Sequence, residues 1–198
     1  MAKRCFDLLL AGLGLVVLSP LLLVLALWIK VDSPGPVFFR QERVGRGGVP
    51  FRIHKLRTMT HTPATDGPEI TVGADRRVTR AGRVLRHYKL DELVQLIDVL
   101  KGDMSLVGPR PEVPRYVALY PAALRDKVLS VRPGITDPAS IEYRDEAGVL
   151  AAAADPEAEY VNVVMPAKLR LAAQYVEQAS LATDLRLIGR TLRIVFRS

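Results

Sequence analysis

The hydrophobic pattern of the chain divides it at about residue 32. From Phe6 to Ile29 nearly every position is apolar, and the single charge, Asp7, stands at the start. As a straight helix rising 1.5 Å per residue, this run would be about 36 Å long, which exceeds the roughly 30 Å hydrocarbon core of a bilayer. The run has no polar face, so the pattern favours contact with lipid over the core of a soluble protein.

Ser19 and Pro20 lie near the midpoint of this run. Proline has no backbone donor and leaves the carbonyl of Val16 without its helical hydrogen bond, and Ser19 can bond back to a carbonyl one turn earlier. Basic residues flank both ends of the run, so the positive-inside rule assigns both ends to the cytoplasm. They are Lys3 and Arg4 before it and Lys30, Arg40, Arg43 and Arg46 after it. A re-entrant hairpin broken at Ser19-Pro20 resolves that conflict, and a Pro-kinked helix that spans the bilayer is the equal alternative.

After residue 32 the pattern predicts short strands and many helices. Two strands, about Val37–Arg43 and Pro50–Leu56, flank a Gly-rich turn at Gly45–Gly48. The segment His61–Asp75 is a polar loop. Helical spacing marks VTRAGRVLRHYKL and LDELVQLIDVLKGD, with Gly102 as the stop, and further helices are predicted over Tyr116–Leu129 and Pro156–Ala182. The predicted fold class is α+β, rich in helix, with one small β-hairpin.

The C-terminal segment is predicted to be a basic amphipathic helix. Its apolar stripe consists of Leu181, Leu185, Ile188, Leu192 and Val195, and its basic positions are Arg186, Arg190, Arg193 and Arg197. This pattern is typical of a helix on an anionic membrane, and a helix packed on the domain with a solvated arginine face is the alternative. The net charge of +7 suits a membrane surface or a phosphorylated substrate. No recognition-helix pattern accompanies that charge, so nucleic acid is not expected as a partner.

Four positions are candidates for chemistry. Asp91 and Glu92 begin a predicted helix, where adjacent side chains point about 100° apart. One carboxylate can therefore attack while the other holds a metal, although acidic residues in a first turn also simply complement the helix dipole. Lys55 and Arg57 alternate on a predicted strand, where two cations on one face suit a diphosphate or form a solvated surface.

A fifth candidate, Arg110, lies between Pro109 and Pro111, which restrict the backbone on both sides of it. The histidines, His54, His61 and His87, lack metal-ligand spacing. The single cysteine, Cys5, excludes a disulfide framework.

Four segments together resemble the bacterial sugar transferase family, the monotopic phosphoglycosyl transferases. They are FRIHKLRTM, RVTRAGRVLR, LDELVQLIDVLKGDMSLVGPRPE and VRPGIT, in this order behind a Ser-Pro-interrupted apolar run. The resemblance covers about Lys3 to Asp137, with an echo in SLATDLRLIGRTL. It implies a re-entrant membrane helix-break-helix over residues 1–32 and one cytosolic catalytic domain over residues 33–198, with interfacial amphipathic helices. The protein would lie on the cytoplasmic face of the bacterial inner membrane without crossing it, in contact with membrane lipids.

The resemblance also implies an activity and a set of residue roles. Sugar-1-phosphate would pass from a UDP-sugar to polyprenyl (undecaprenyl) phosphate, with Mg²⁺ as cofactor and release of UMP, as the first membrane step of glycan assembly. Asp91 matches the nucleophile that forms a covalent phosphosugar intermediate, and Glu92 matches the Mg²⁺ ligand. Lys55, Arg57 and the Pro109-Arg110-Pro111 motif match groups near the phosphates and nucleotide, and Ser19-Pro20 matches the membrane break.

Three features depart from the family's pattern. Val94 replaces a usual proline, Asp98 replaces a common asparagine, and RPGITDPASIEYRDE replaces the common continuation after RPGIT. The last difference leaves the sugar unassigned. A transferase for another nucleotide-linked donor, or a membrane-anchored binding protein without catalysis, are the alternative functions, and a homodimer is left open.

Overall fold

The computed structural model describes residues 2–60 and 75–196, with side chains up to Ile194. The helices are α1 (Ala2–Asp32), α2 (Arg80–His87), α3 (Leu96–Lys101), α4 (Pro114–Val117), α5 (Ala122–Val128), α6 (Pro138–Glu142), α7 (Glu146–Ala151), α8 (Pro156–Glu159), α9 (Met165–Glu177) and α10 (Leu181–Phe196). The strands are β1 (Phe38–Val44), β2 (Pro50–Leu56), β3 (Ser105–Val107) and β4 (Gly134–Thr136). Short 3₁₀ segments span Arg46–Gly48 and Leu90–Gln95, and a π-helical turn spans Tyr160–Val164. The predicted helix-rich α+β class is confirmed, and the predicted loop at His61–Asp75 lies, apart from Asp75, outside the described residues.

The strands form two separate pairs. β1 and β2 are antiparallel, with Phe38 opposite Leu56 and Val44 opposite Pro50, which confirms the predicted hairpin. β3 and β4 are parallel, and β4 was missed because its three residues lie in the turn-rich VRPGITDP. A Cβ on Gly134 would lie 2.1 Å from the Gly108 nitrogen, so glycine is what allows these segments to approach.

The apolar run forms one helix, α1, which continues through Ser19 and Pro20. Ser19 and Pro20 therefore lie within one continuous helix, and the chain does not form a loop between two helices at this point. The helix can continue past Pro20 because the Ser19 hydroxyl donates a hydrogen bond to the Val16 carbonyl at 2.8 Å. This is the carbonyl that Pro20 deprives of its usual partner. By length and composition α1 is able to cross a membrane, and its re-entrant path stays a prediction.

One face of α1 packs on the rest of the chain on both sides of Pro20. Before the proline, Ala11, Leu15 and Leu18 join a cluster that contains Leu96, Val99 and Met104. After it, Leu22, Leu25 and Ile29 join a cluster that contains Leu56, Leu85 and Val94. The opposite face exposes a row of large apolar side chains: Leu9, Leu13, Val16, Val17, Leu23, Val24, Leu27 and Val31. The helix is thus apolar all round, with one face in contact with protein and the opposite face exposed.

Polar contacts fix both ends of α1. At the beginning, Lys3 donates to Asp184 at 2.5 Å, and the buried Asp7 accepts from the Ser105 hydroxyl at 2.8 Å. At the end, Arg57 donates to the Ile29 carbonyl, and Asp32 accepts from the backbone of Ala81 at 3.0 Å. Both ends of the apolar helix are therefore bound to the same body of protein.

One helix prediction needs revision and one is confirmed. The segment Tyr116–Leu129, predicted to be helical, is interrupted in the structure, since Pro121 separates α4 from α5 and cannot donate to a continuous helical ladder. The stop at Gly102 is confirmed, because Gly102 takes a left-handed φ of 94° as the C-cap of α3.

The predicted C-terminal helix is confirmed as α10. One of its faces packs on the domain, and another face is exposed and carries apolar and basic side chains. Asp184 and Leu187 are buried against the domain, whereas Leu181, Leu185 and Leu192 are exposed beside exposed arginines. The side chain of Val195 and residue Arg197 lie outside the described residues. An apolar and basic outer face therefore remains on α10 after its packing on the domain.

Candidate active site

The 3₁₀ helix Leu90–Gln95 carries the two candidate acids. Lys89, the residue before it, has a left-handed backbone with φ of 56°, which is uncommon for a residue other than glycine. Leu90 and Val94 pack in the cluster that contains α1 residues, so α1 supports this segment directly. Asp91 and Glu92 are 8% and 9% exposed. The sequence thus places two carboxylates in a nearly dry environment at a strained turn.

Glu92 is held by two cations. Lys55 Nζ donates to its Oε1 at 2.9 Å, and Arg110 Nη1 donates to its Oε2 at 3.1 Å. Arg110 Nη2 also donates to Oε1, which completes a two-pronged contact. Burial alone would raise the pKa of Glu92, but Arg110 and Lys55 outweigh burial and hold that pKa well below its usual range. Glu92 is therefore ionised and fixed in direction.

Asp91 differs from Glu92 although it is the next residue. Within residues 2–60 and 75–196, Glu92 accepts three side-chain hydrogen bonds and the Asp91 carboxylate accepts none. Burial raises the pKa of Asp91, and the charge of Glu92 raises it further, against the opposing effect of Lys55 and Arg86. A buried carboxylate whose oxygens are free of donors is a more basic group and a better nucleophile.

The two cations of the site are themselves positioned by the fold. Lys55 extends from β2, and burial lowers the pKa of its ammonium while Glu92 opposes that effect. The carbonyl of Pro109 accepts from Gly134, and the carbonyl of Pro111 accepts from Arg43, so both prolines beside Arg110 are tied down. The expectation that Arg110 is held in place agrees with these contacts.

Arg57 is placed elsewhere. Its guanidinium donates to the carbonyls of Ile29, Ser33 and Pro34, at 3.2, 2.6 and 2.9 Å, and it is 4% exposed. These are carbonyls at the C-terminal end of α1, where a cation is favourable. The structure brings Lys55 and Arg110 to Glu92, and it leaves Arg57 as an anchor of α1.

Two further features of the site were not assigned from the sequence. Arg86 on α2 donates to the Thr58 hydroxyl at 2.9 Å. Its positive charge opposes the rise in the pKa of Asp91 that burial and Glu92 cause. Asp98 is fully buried and accepts from the His54 backbone at 2.8 Å, and its Oδ1 lies 2.5 Å from His54 Nδ1. Asp98 thereby ties β2, and hence Lys55, to the helix that follows the acids. In the sequence, the one sign of this role was that aspartate replaces the common asparagine at position 98.

The residues present fit a magnesium ion that the substrate completes. The described part of the chain holds no cluster of three or more His, Cys, Asp or Glu side chains, so a cage made only of protein is not present there. Mg²⁺ usually binds through one or two carboxylates and the phosphates of its substrate. Oε2 of Glu92 accepts one hydrogen bond, from Arg110, and a carboxylate oxygen has a second acceptor site. Glu92 can therefore hold an ion without losing its cations.

The chain is similar to known proteins over its whole length. The family whose description is bacterial sugar transferase matches residues 1–198. A UDP-glucose:undecaprenyl-phosphate glucose-1-phosphate transferase of Caulobacter vibrioides is 41% identical over 194 residues, which is 96% of this chain and 68% of that protein.

Two other relatives differ in how much of them the chain covers. A UDP-N-acetylgalactosamine-undecaprenyl-phosphate N-acetylgalactosaminephosphotransferase of Aeromonas hydrophila is 37% identical over 98% of this chain and 43% of its own length. An uncharacterized sugar transferase of Bacillus subtilis is 35% identical over 99% of this chain and 88% of its own length. The chain thus spans less than half of the Aeromonas protein and most of the Bacillus one.

Proposed function

Because the chain belongs to the bacterial sugar transferase family, we propose that it transfers a sugar-1-phosphate from a UDP-sugar to undecaprenyl phosphate through a covalent intermediate on Asp91. The names of its relatives supply the donor class and the lipid acceptor. The observation that carries the mechanism is the contrast between neighbours, since Glu92 is held by two cations and Asp91 accepts no side-chain hydrogen bond from the described residues. One carboxylate is fixed for binding and the other is free to react.

In the first step, an Asp91 carboxylate oxygen attacks the β-phosphorus of the donor. A new oxygen–phosphorus bond forms, the bond from that phosphorus to the bridging oxygen breaks, and UMP departs with the bridging oxygen. Lys55 and Arg110 lie beside the acids and are placed to neutralise the diphosphate. In the second step, a phosphate oxygen of the lipid attacks the same phosphorus, which releases Asp91 and forms the lipid diphosphate sugar.

Glu92 has a separate role in this proposal. It would hold Mg²⁺, and the charge of that ion would neutralise the diphosphate and the departing UMP. Lys55 and Arg110 keep Glu92 ionised and oriented toward the substrate side. Asp91 and Glu92 therefore have different proposed functions, just as they have different contacts.

The packing of α1 supports a position on one face of the membrane. Contacts fix both ends of α1 to the same domain, and the clusters on both sides of Pro20 include residues of the 3₁₀ helix and α3. A helix that crossed the bilayer would carry these elements into the hydrocarbon with it. A re-entrant α1 on the cytoplasmic side, with its exposed apolar row in lipid, avoids that cost and holds Asp91 near the level of a lipid phosphate.

Covalent labelling tests the mechanism. The purified protein is incubated with UDP-sugars labelled in the sugar, and the reaction is stopped before any lipid acceptor is added. We expect label on the wild type and none on Asp91→Asn, with one UMP released per labelled protein. Asp126→Asn is the matched control, since Asp126 is exposed on α5 away from the site, and it should label as the wild type does.

The same panel separates the alternatives. Label from CDP- or ADP-linked donors in place of UDP-sugars would point to another donor class. Retention of biological activity in Asp91→Asn would favour a binding protein without catalysis, and substantial turnover by that variant would exclude Asp91 as the nucleophile.

The single cysteine tests the topology. Cys5 is exposed near the beginning of α1, so an impermeant thiol reagent reports the side on which that end lies. We expect labelling in inverted membrane vesicles and protection in intact spheroplasts. Cys5→Ser combined with Asp126→Cys reports the side of the domain and should behave identically. Labelling of Cys5 from outside in spheroplasts would show that α1 crosses.

A further inference from the structure

Three arginines form one row along α2. Arg80, Arg83 and Arg86 are spaced three residues apart, and side chains at this spacing are neighbours on a helix surface, with Cβ atoms about 5–6 Å apart. Arg80 and Arg83 are exposed, and neither guanidinium forms an ion pair or a hydrogen bond with the residues that the structure describes. Arg86 is half-buried and donates to the Thr58 hydroxyl at 2.9 Å. The row therefore has two cations open to solvent and a third that the domain holds.

The fold fixes α2 against the end of α1. Asp32, the last residue of α1, accepts from the backbone of Ala81 at 3.0 Å. Leu85 is fully buried and packs with Leu25 and Ile29 of α1. The exposed arginines therefore project from a helix whose position is set by the apolar segment, which lowers the entropic cost of binding a ligand there.

The row runs from the end of α1 toward the proposed nucleophile. Hydrogen bonds from the beginning of α2 lower the pKa of Asp32 most, and the charges of Arg80 and Arg83 lower it further, so both groups lie near the end of α1. Burial raises the pKa of Asp91, and the charge of Arg86 opposes that rise, so the other end of the row lies near Asp91. The six residues from the first arginine to the last rise about 9 Å along the helix.

Exposed apolar side chains accompany the exposed cations. Val31, next to the last residue of α1, is 86% exposed, and Val24 and Leu27 continue an exposed apolar row along α1. Val84 on α2 is also exposed, and it follows Arg80 by four residues, so the two are neighbours on the helix surface. A ligand that matches this surface has a phosphate at one end and a long apolar chain behind it.

Charge selects among the phosphates of the proposed reaction. A phosphate monoester carries roughly −1.5 to −2 charges at pH 7, which is more than the phosphodiester of an ordinary phospholipid carries. Two guanidinium groups on adjacent turns can contact the same phosphate and bind the more highly charged group more tightly. A UDP-sugar has no apolar chain, so it gains nothing from the exposed apolar side chains of α1 and α2.

We infer that Arg80 and Arg83 form the entry site for the phosphate of the lipid acceptor, a phosphate monoester of a long apolar alcohol. The inference rests on the proposed function, because it takes Asp91 to carry the phosphosugar that the acceptor attacks. The two half-reactions then use different cations. The diphosphate of the donor meets Lys55 and Arg110, whereas the phosphate of the acceptor first meets the row on α2.

Separate measurement of the two half-reactions tests the entry site. The double variant Arg80→Gln/Arg83→Gln is labelled in nanodiscs with the UDP-sugar that labels the wild type, and undecaprenyl phosphate is then added at increasing concentrations while loss of label is timed. We expect the concentration for half-maximal discharge to rise about tenfold or more, because two charge-assisted contacts with the phosphate are lost. The effect on discharge should exceed the effect on labelling by about the same factor.

Two further variants make the result specific. Arg170→Gln is the matched control, since Arg170 is exposed on α9 and outside the row, and it should change neither half-reaction. Arg80→Lys/Arg83→Lys keeps both charges and should recover most of the lost acceptor affinity. If the double glutamine variant melts early, Arg83→Gln alone gives the same comparison. An unchanged concentration for half-maximal discharge in the glutamine variants overturns the inference.

Ordinary anionic lipids are the competing occupants of this surface. The discharge measurement is therefore made in nanodiscs of phosphatidylcholine alone and in nanodiscs that also contain phosphatidylglycerol. An entry site for the acceptor predicts the defect in both. A defect that needs phosphatidylglycerol would assign the row to bulk lipid and overturn the inference, and so would an equal loss of labelling and discharge, which would assign the row to the donor.

The inference and the proposed function fail in different ways. Binding of undecaprenyl phosphate and of undecaprenol, which lacks the phosphate, is measured by native mass spectrometry without any donor. A preference for the phosphate that is lost in the double glutamine variant, with no label on the wild type from any UDP-sugar, would refute the proposed reaction and leave the entry site standing. Normal labelling of Asp91 with identical discharge by the wild type and the variant would refute the entry site alone.

Discussion

Lys55 and Arg57 are two residues apart, yet they belong to two different clusters. The acid cluster consists of Lys55, Glu92 and Arg110, where cations surround a buried carboxylate. The anchor cluster consists of Arg57 and the carbonyls at the end of α1, where a buried cation meets neutral oxygens. β2 ends at Leu56, so strand alternation no longer governs the direction of Arg57. A cation's position in the sequence therefore indicates little about its partner, and the partner decides its function.

The difference between the clusters predicts separable effects. Changes in the acid cluster should impair chemistry even at temperatures where the fold persists, because the charges of Glu92 and its cations are the groups proposed to act on the substrate. Changes in the anchor cluster should lower stability, because several buried carbonyls would lose their donor together.

The largest effect is expected for Glu92→Gln. The amide loses the charge that Lys55 and Arg110 bind and that a magnesium ion needs, so the single-turnover labelling rate should fall about 10³-fold. The melting temperature should also fall, because Lys55 and Arg110 lose the charge that compensates them in a buried site, so the rate is measured well below that temperature. A rate within tenfold of the wild type would show that Glu92 is not part of the reacting site.

Arg110→Lys should have the next largest effect. Lysine keeps the charge but loses the two-pronged contact with Glu92, and a fall of about 10²-fold in the labelling rate is expected. Lys101→Arg, an exposed exchange in the opposite direction, is the control and should be neutral. Wild-type rates in Arg110→Lys would mean that charge alone matters at this position.

Arg57→Met should separate the clusters by lowering stability instead of rate. The carbonyls of Ser33, Pro34 and Ile29 lose a common donor, and the free energy of unfolding should drop by roughly 2–3 kcal/mol. Denaturant titration in detergent measures this loss, and labelling well below the melting temperature should remain within a few-fold of the wild type. A large loss of labelling without loss of stability would return Arg57 to the phosphate site.

The smallest effect is expected for Asp32→Asn, and it should depend on pH. The hydrogen bonds from Ala81 and Thr79 lower the pKa of Asp32 below its ordinary value of 3.8. The ionised carboxylate therefore stabilises the fold at pH values above 3.8. This contribution is lost as the pH falls through the lower pKa that Asp32 has in the folded protein. Asp32→Asn should reduce the melting temperature slightly at pH 7 and by less near pH 3; an equal reduction at both would exclude the charge as the cause.

Local features of the fold could be predicted from the sequence, and contacts between distant segments could not. The β1–β2 hairpin, the stop at Gly102 and the Ser19–Val16 hydrogen bond each depend on a few adjacent residues. The strand β4 exists only because β3 lies beside it, about 30 residues earlier. No short-range pattern encodes such a pairing.

The residues of the candidate site divide in the same way, into features that could be predicted from the sequence and contacts between distant segments that could not. Asp91, Glu92 and Arg110 were found because their segments combine in a recognisable order, and the structure brings Arg110 to Glu92. A cavity beside Arg110 was not predictable, because Asp137, Tyr160 and Lys168, which line it, come from three separate elements. Arg57 was grouped with Lys55 because the end of α1 is far from it in sequence.

The hydrogen bond from Ser19 to Val16 has a consequence for how the chain enters a membrane. A carbonyl left bare in hydrocarbon costs several kcal/mol, and it would normally require a water molecule or a neighbouring helix as partner. Here the repair is made by the residue immediately before the proline, at 2.8 Å, with no help from the domain. The apolar segment is thus self-sufficient at its weakest point, and it can partition into lipid during synthesis before the rest of the protein has folded against it.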